Sequence, residues 1–362
     1  MAQVAYITRV SIPNKVAQAA QITSMCKAFN DLIGDEFVLV SPTKEINSLD
    51  HLTFSRKIIN LKTKHKILRN ILFSSKVFLF LRKNKVEHIY TRDILIAFMT
   101  LTFFKIPTCY EAHQPMRNRT SKLLQKIISK NKLYRLITIT QSLKKYYENK
   151  ISFTNKINVV PNGVYFSDYQ NEKSKKTLRK ELNLPADVFV IAHTGSLFEN
   201  RGFEKFEVIL KNFPKVKLIQ IGGKPNDVKK IKLQLIKYDN IEFIDYVPKN
   251  IVVKYQLAAD ALLYLTTENS PIYWCTSPNK IFEYMATKNP ILAPNIGSIS
   301  EILNETNSFV FDLKNDDDLI SKIRILIDDE NQTITENAFI EVEKKYSMEA
   351  RVKKISRIMT NK

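Results

Sequence analysis

Short β-branched runs alternate with segments of helical period along most of the chain, and this alternation restricts the fold more than any other property of the sequence. A chain that returns to an apolar extended run after each helix builds a parallel sheet with helices on its faces. The first set of candidate strands is Val4 to Ile7, Phe37 to Val40, His88 to Thr91, Thr108 to Ala112, Leu136 to Thr140 and Ile157 to Val160. Residues 168–187 are polar and lysine-rich. A second set follows: Phe189 to Thr194, Val216 to Gly222, Ile241 to Tyr246, Ala261 to Thr266, Ile291 to Ala293 and Phe309 to Asp312. With 362 residues the chain is too long for one typical core and suits two domains. The expectation is therefore α/β, with two tandem Rossmann-like domains over residues 1–167 and 168–340. Residues 341–362 then form a C-terminal helix that Ser347 can cap and that packs back toward the first domain.

The charge is unevenly placed. Of a formal net +20, residues 51–150 contribute +18, from 22 Lys/Arg against 4 Asp/Glu. There Arg56, Lys57, Lys62, Lys64, Lys66, Arg69, Lys76, Arg82, Lys83 and Lys85 are interleaved with Ile67, Leu68, Ile71, Leu72, Phe73, Val77, Phe78 and Phe80. Such a basic amphipathic pattern suits anionic lipid headgroups, polyphosphates or nucleic acid. A solvated lysine-rich face is the plainer reading of the same run. Hydrophobic and charged fractions of 44% and 25% are those of an ordinary globular protein and argue against disorder and against a multispan membrane protein. The longest apolar run, Ile94 to Phe104, is too short to cross a bilayer and reads as a core helix. Cys26, Cys109 and Cys275 have no metal-type spacing, and a reducing cytosol is their simplest setting.

Residues 277 to 283, Ser-Pro-Asn-Lys-Ile-Phe-Glu, put a cation where a helix disfavours one. Ser277 reads as an N-cap and Pro278 as the first helical residue, so Lys280 falls in the first turn, where the macrodipole favours anions. A bound phosphate would resolve the conflict, and Glu283, on the same helical face, could accept hydrogen bonds from ribose hydroxyls. The competing reading is an ordinary helix start with solvated Lys280 and Glu283. The segment Gly195 to Gly202 joins the first strand of the second set to its helix and brings Arg201 to that helix's N-terminal end. Arg201 and Lys280 together could hold a diphosphate and stabilise it as a leaving group. Gly163, Gly195, Gly202, Gly222, Gly223 and Gly297 lie near the carboxyl ends of candidate strands, the ligand edge of an open α/β sheet, and Gly34 suits a left-handed helix C-cap. His113 ends the strand from Thr108 and could hydrogen-bond a sugar hydroxyl or a developing charge, although an isolated histidine is more often structural. Arg92 reads as the ion-pair partner of Asp93. Asp316 to Asp318 look like a metal-binding triplet but open a helix, where acidic residues are favoured anyway. No GxGxxG, Walker loop, HExxH or GxSxG occurs, so hydride transfer, ATP hydrolysis and acyl transfer lack support.

Taken in order, Gly195 through Arg201-Gly202, Ile221-Gly222-Gly223, Tyr246-Val247-Pro248, Ala259-Asp260, Ser277 through Ala286 and Pro290 through Ala293 resemble the GT-B glycosyltransferases of family 4. In the first half His113, Pro161 through Val164 and the Ser11-Ile12-Pro13 loop also fit. The resemblance implies two Rossmann-like domains facing each other across a cleft and closing over a nucleotide-sugar donor. That donor is a co-substrate, and neither a cofactor nor a metal is expected. By resemblance, Arg201 and Lys280 hold the donor diphosphate and Glu283 the ribose hydroxyls. Tyr246 and Val247 lie near the base, while Gly195, Ser196, Gly222 and Ser277 complete the donor site. His113 lines the sugar site and forms the catalytic set with Arg201 and Lys280. The chain departs from the family pattern in three places. Cys275 stands where the first of two glutamates is usual, Ser196 replaces a frequent arginine, and Ser11, Pro13 and Lys15 replace a glycine-rich turn. Donor binding is then expected to rely more on main-chain amides.

The implied function is a retaining glycosyltransferase that passes a sugar to a lipid-diphosphate-linked or polysaccharide acceptor in surface polysaccharide biosynthesis. It is expected in the cytoplasm, peripheral at the inner face of the membrane, with residues 51–150 docked on anionic lipid. A GT-B-type sugar-nucleotide epimerase or hydrolase would use the same phosphate site without an acceptor. A nucleic-acid-binding protein would use the basic region, but no recognition motif is present and the second domain is near neutral.

Overall fold

The computed structural model describes residues 3–12, 17–43, 53–61, 63, 65–170, 173–328 and 332–360. It divides into two compact units, Met1–Asn162 with Met348–Lys362, and Gly163–Ser347. Pro13, Lys15, Lys62 and Lys64, which the sequence reading invoked, lie outside the described residues.

The first unit contains β1 (Val4–Ile7), α1 (Ala17–Ile33), β2 (Phe37–Pro42), β3 (Arg56–Ile59), α2 (Lys66–Lys83), β4 (His88–Thr91), α3 (Ile94–Met99), β5 (Thr108–Ala112), α4 (Arg119–Ile128), β6 (Tyr134–Thr138), α5 (Gln141–Lys150) and β7 (Asn158–Val159). Its seven strands are parallel, in the order β3-β2-β1-β4-β5-β6-β7. Alternation along β1 explains why the run is apolar throughout. Ala5 and Ile7 join Phe73, Val77, Ile89, Ile96 and Met99 in the core under α2 and α3, whereas Tyr6 turns the other way onto Tyr90, which packs on Phe29 of α1. Gly34, at φ +56°, follows α1 in the left-handed region. The apolar run from Ile94 is less regular than expected: α3 ends at Met99 and continues as a π-helical turn over Thr100–Phe104, closed by Lys105 at φ +52°. The strand β3 was not expected at all. Arg56 and Lys57 belong to this four-residue edge strand, whose charges suit a position with one unpaired side.

The second unit contains α6 (Lys175–Glu181), β8 (Val190–Thr194), α7 (Glu204–Asn212), β9 (Lys217–Ile221), α8 (Pro225–Gln234), β10 (Ile241–Ile244), α9 (Lys249–Ala258), β11 (Ala261–Leu263), α10 (Asn279–Met285), β12 (Ile291–Pro294), β13 (Phe309–Phe311), α11 (Asp316–Asp328) and α12 (Gln332–Glu341). Its six parallel strands run β10-β9-β8-β11-β12-β13. Successive strand residues again serve two cores. Val190, Ala192, Ile219, Leu262 and Ile291 pack with α9 and α10, while Ile191, Leu218, Leu263, Leu292 and Phe309 pack with α7 and α11. Asp316 to Asp318 occupy the first turn of α11.

The division falls at Asn162/Gly163 rather than at 167, and residues 341–347 stay with the second unit. Val164 N donates to Tyr346 O at 3.0 Å, which ties the two ends of that unit together. The last helix, α13 (Met348–Thr360), belongs to the first unit and packs against α1. Arg351 on α13 is 2% exposed and meets Glu111 of β5 at 2.5 Å.

Candidate functional site

The strand order of the second unit puts a topological switch between β8 and β11, because the chain leaves β8 toward β9 on one side and later returns to β11 on the other. Ligands of open α/β sheets bind outside the carboxyl ends of strands at such a point. Here the loop after β8 begins with Gly195, whose N–H donates to Ile221 O at 2.7 Å. Gly195 has φ +104°, and a Cβ there would lie 2.6 Å from Nζ and 2.7 Å from Cε of Lys280. Glycine is thus required both by the backbone angle and by the ammonium that crosses the loop.

Lys280 is the second residue of α10, and no side chain caps this helix. Ser277 is not its N-cap. Pro278 keeps an extended ψ of 131°, so the helix starts one residue later than expected, and Ser277 is drawn inside, 2% exposed. Burial, reinforced by the nearby Arg201, brings the Lys280 pKa down to about 8, against the opposing pull of Glu283. Glu283 Oε2 accepts from Gln256 Nε2 at 3.4 Å. Arg201 lies before α7 and not in its first turn. Asn200 and Gly202, at φ +60° and +83°, break the backbone, and the first turn itself carries Glu204 and Glu207. The Arg201 guanidinium sits 5.7 Å from the centre of the Phe198 ring. Both side chains border a groove of about 720 Å³ with Thr267 and Asn269.

The remaining expected residues are spread along the same sheet edge. Ser196 is half-buried beside Gly195. Gly222 N donates to Ile244 O at 2.8 Å, and its φ is +83°. Tyr246, past the end of β10, is 65% exposed, while Val247 packs on the core. Cys275 is fully buried, and burial pushes its thiol up to about 11, so the position holds a neutral group. Ser298 N and Oγ donate to Tyr273 O at 3.2 and 3.1 Å, and Oγ also reaches Thr276 O at 2.6 Å, which lashes down the loop leading into α10.

Sequence reading missed a buried pair that braces this edge. His193 of β8 and Gln220 of β9 are register partners. Gln220 Nε2 donates to the carbonyls of Gly195 at 2.9 Å and Gly222 at 3.0 Å, so its Oε1 is the acceptor facing His193 Nδ1 at 2.6 Å. The Nδ1 proton is thereby assigned. Burial and then Lys280 hold the His193 pKa well below the usual imidazole value, and the ring is neutral. Two polar residues at matching places in adjacent apolar strands are the signal that could have revealed them.

In the first unit His113 belongs to a buried cluster around Glu111. Its Nε2 meets both the Glu111 carboxylate and Arg92 Nη2, and its Nδ1 lies 2.7 Å from the same Nη2. Burial and Arg92 lower the His113 pKa to about 4 despite Glu111. For Glu111, burial raises the pKa but Arg351, His113 and Arg92 outweigh it and hold the carboxyl well below its usual range. Arg92 does not pair with Asp93. It lies 3.3 Å from Glu111, while Asp93 pairs with Arg9 at 2.5 Å and caps α3 through Leu95 N and Ile96 N. Among the described residues no cluster of His, Cys, Asp and Glu is arranged to hold a metal ion, and no helix is long and apolar enough to cross a membrane.

Residues 188–329 match the family model of glycosyl transferases group 1. Over 149 residues, 41% of this chain, the sequence is 29% identical to TuaC of Bacillus subtilis strain 168, a protein named for glycosyl transfer in teichuronic acid biosynthesis. The match spans 35% of that relative's length. The Anabaena protein HepE, solved with UDP and glucose, superposes with a TM-score of 0.79 at 15% identity, covering 100% of both chains. Sucrose-phosphate synthase from Thermosynechococcus elongatus superposes with a TM-score of 0.79 at 17% identity, covering 100% of this chain and 99% of that one. Residues 188–329 thus resemble the group 1 glycosyl transferases, and the chain has the GT-B fold of two Rossmann-like domains.

Proposed function

We propose that the protein is a retaining, metal-independent glycosyltransferase of family 4 that takes a sugar from a nucleotide-sugar donor. The observation that carries this reading is the Lys280 ammonium crossing Gly195 at the β8/β11 switch, without an ion-pair partner among the described residues. A diphosphate there would meet Lys280 and Arg201, and its developing charge on bond cleavage would be stabilised by both. Glu283 would receive the ribose hydroxyls, with Tyr246 and the main chain at Val247 near the base. Gly195, Ser196, Gly222 and Ser277 would complete the donor site, and His113 would meet the sugar. HepE was solved with UDP and glucose, and TuaC is named for teichuronic acid biosynthesis, which favours a nucleotide donor and a polysaccharide or lipid-linked acceptor. Lys280→Ala and Glu283→Ala should each abolish transfer, assayed with labelled donor and a lipid-diphosphate acceptor, while leaving the melting curve intact. Retained turnover in both variants would refute the assignment. The neutral Cys275 favours a second reading, an epimerase or hydrolase, which consumes donor with no acceptor present.

The same proposal sets the protein in the cytoplasm, against the inner face of the membrane. Ile67, Ile71 and Leu79 on α2, with Leu123 and Ile127 on α4, are more than half exposed and stand among Arg82, Lys83, Lys122 and Lys126. Exposed apolar side chains ringed by cations suit an anionic lipid surface. Ile71→Glu with Leu79→Glu should abolish flotation with phosphatidylglycerol vesicles. Undiminished flotation would exclude this face.

A further inference from the structure

A second cluster of cations lies where strands of the first unit begin. Arg135, Asn155, Lys156, Asn158, Lys354 and Arg357 line a concavity of about 330 Å³. The cations come from three separate segments: the start of β6, the residues leading into β7, and the last turns of α13. No carboxylate is among the lining residues. Among the described residues Lys156, Lys354 and Arg357 make no ion pair. Several of the side chains are nonetheless held in place. Arg135 Nη1 donates to Lys132 O at 2.6 Å, Lys354 Nζ to Val159 O at 2.9 Å, and Asn155 Nδ2 to Tyr134 O at 2.8 Å.

The carbonyl end of α13 favours one cation, Arg357. It does not explain why Lys156 and Lys354 converge on the same space, since like charges there repel unless an anion is present. Burial lowers the Lys354 pKa, which fits an ammonium partly stripped of water. Phosphate oxygens would offset each of these charges, and the volume is at the lower end of small-molecule pockets, roughly 300–1,000 Å³.

We propose that this concavity binds a small soluble ligand carrying at least two phosphate groups, through residues none of which belongs to the glycine-loop site of the second unit. The inference stands independently of the proposed transferase activity. Pyrophosphate titrated calorimetrically into the full chain tests it. On a Lys280→Ala background, which removes the cation at Gly195, one pyrophosphate is expected to remain bound. Adding Lys156→Gln and Arg357→Gln, both changes at exposed positions, should weaken its Kd about a hundredfold, roughly tenfold per charge-assisted contact. The same changes should remove the rise in Tm that pyrophosphate produces. Unchanged affinity in that variant overturns the site. Lost binding to phosphatidylglycerol vesicles with pyrophosphate affinity intact also overturns it, because the cluster then belongs to a lipid-facing surface. Melting without ligand should stay close to that of the parent, since both substitutions are at exposed positions.

Discussion

Replacing Gly195 with alanine separates backbone strain from the function of the cation that crosses it. At φ +104° an alanine is strained whatever the surrounding space, which costs on the order of 1–3 kcal/mol. For a unit of this size about 2 kcal/mol corresponds to a fall in Tm of roughly 4–8 °C. The new Cβ would also start 2.6 Å from Lys280 Nζ, so the ammonium must withdraw until ordinary contact near 3.4 Å is reached. Losing one charge-assisted hydrogen bond to a diphosphate costs about 1.5–3 kcal/mol, so UDP should bind roughly 10- to 150-fold more weakly. Calorimetric UDP titration and thermal melting of four proteins complete the assay: wild type, Gly195→Ala, Lys280→Ala and the double variant. If Gly195 acts on the ligand through Lys280, the alanine has no further effect on affinity once the lysine is gone, while the fall in Tm persists. An equal affinity loss in both backgrounds, or wild-type affinity in Gly195→Ala, refutes the reasoning.

The depressed Lys280 pKa predicts a pH profile: the charge is present below about 8 and lost above it, so UDP affinity should decline between pH 7 and 9.5 in the wild type but stay level in Lys280→Arg, as calorimetry across that range would reveal. Arg351→Met strands the Glu111 carboxylate in the core and should cost about 3–5 kcal/mol by urea denaturation, partly restored by adding Glu111→Gln; a cost below about 1 kcal/mol would show the pair to be unimportant. Because Glu111 is held below its ordinary pKa of 4.5, its contribution is present above that pH and lost as the solution is acidified further. Stability at pH 3 relative to pH 6 should therefore fall less in Glu111→Gln than in the wild type. Gln220→Leu leaves His193 Nδ1–H and two glycine carbonyls without their partner, at about 1–3 kcal/mol for each buried group, and should weaken UDP binding as the loops relax; unaltered affinity would detach this brace from the site.

The strands were legible because burial on both faces leaves a local mark. Val4–Ile7, His88–Thr91 and Thr108–Ala112 have the bounds read from sequence, and the other candidate strands shift by a few residues at their ends. The edge strand β3 was not legible, since a four-residue strand carrying Arg56 and Lys57 resembles a basic surface segment. Within the candidate site, the glycines at strand ends and the lysine at a helix start could be picked out from residue type and position. The helix limits could not: Pro278 keeps an extended backbone, and left-handed Asn200 delays α7, so Ser277 and Arg201 take places that propensity did not assign. Charge partners were least accessible. Arg92 has Asp93 as its neighbour in sequence yet turns to Glu111, whose other guanidinium partner, Arg351, is 240 residues further on.

The sequence by itself determined the two parallel sheets and the edges at which their loops gather, because hydrophobic periodicity and backbone preference act over a few residues at a time. Tertiary structure alone decided that Lys280 crosses Gly195, that Gln220 fixes the His193 proton, and that Arg351 keeps Glu111 ionised. Those contacts depend on strand register and helix packing between segments far apart in the chain, and no local pattern encodes the distance between two such side chains.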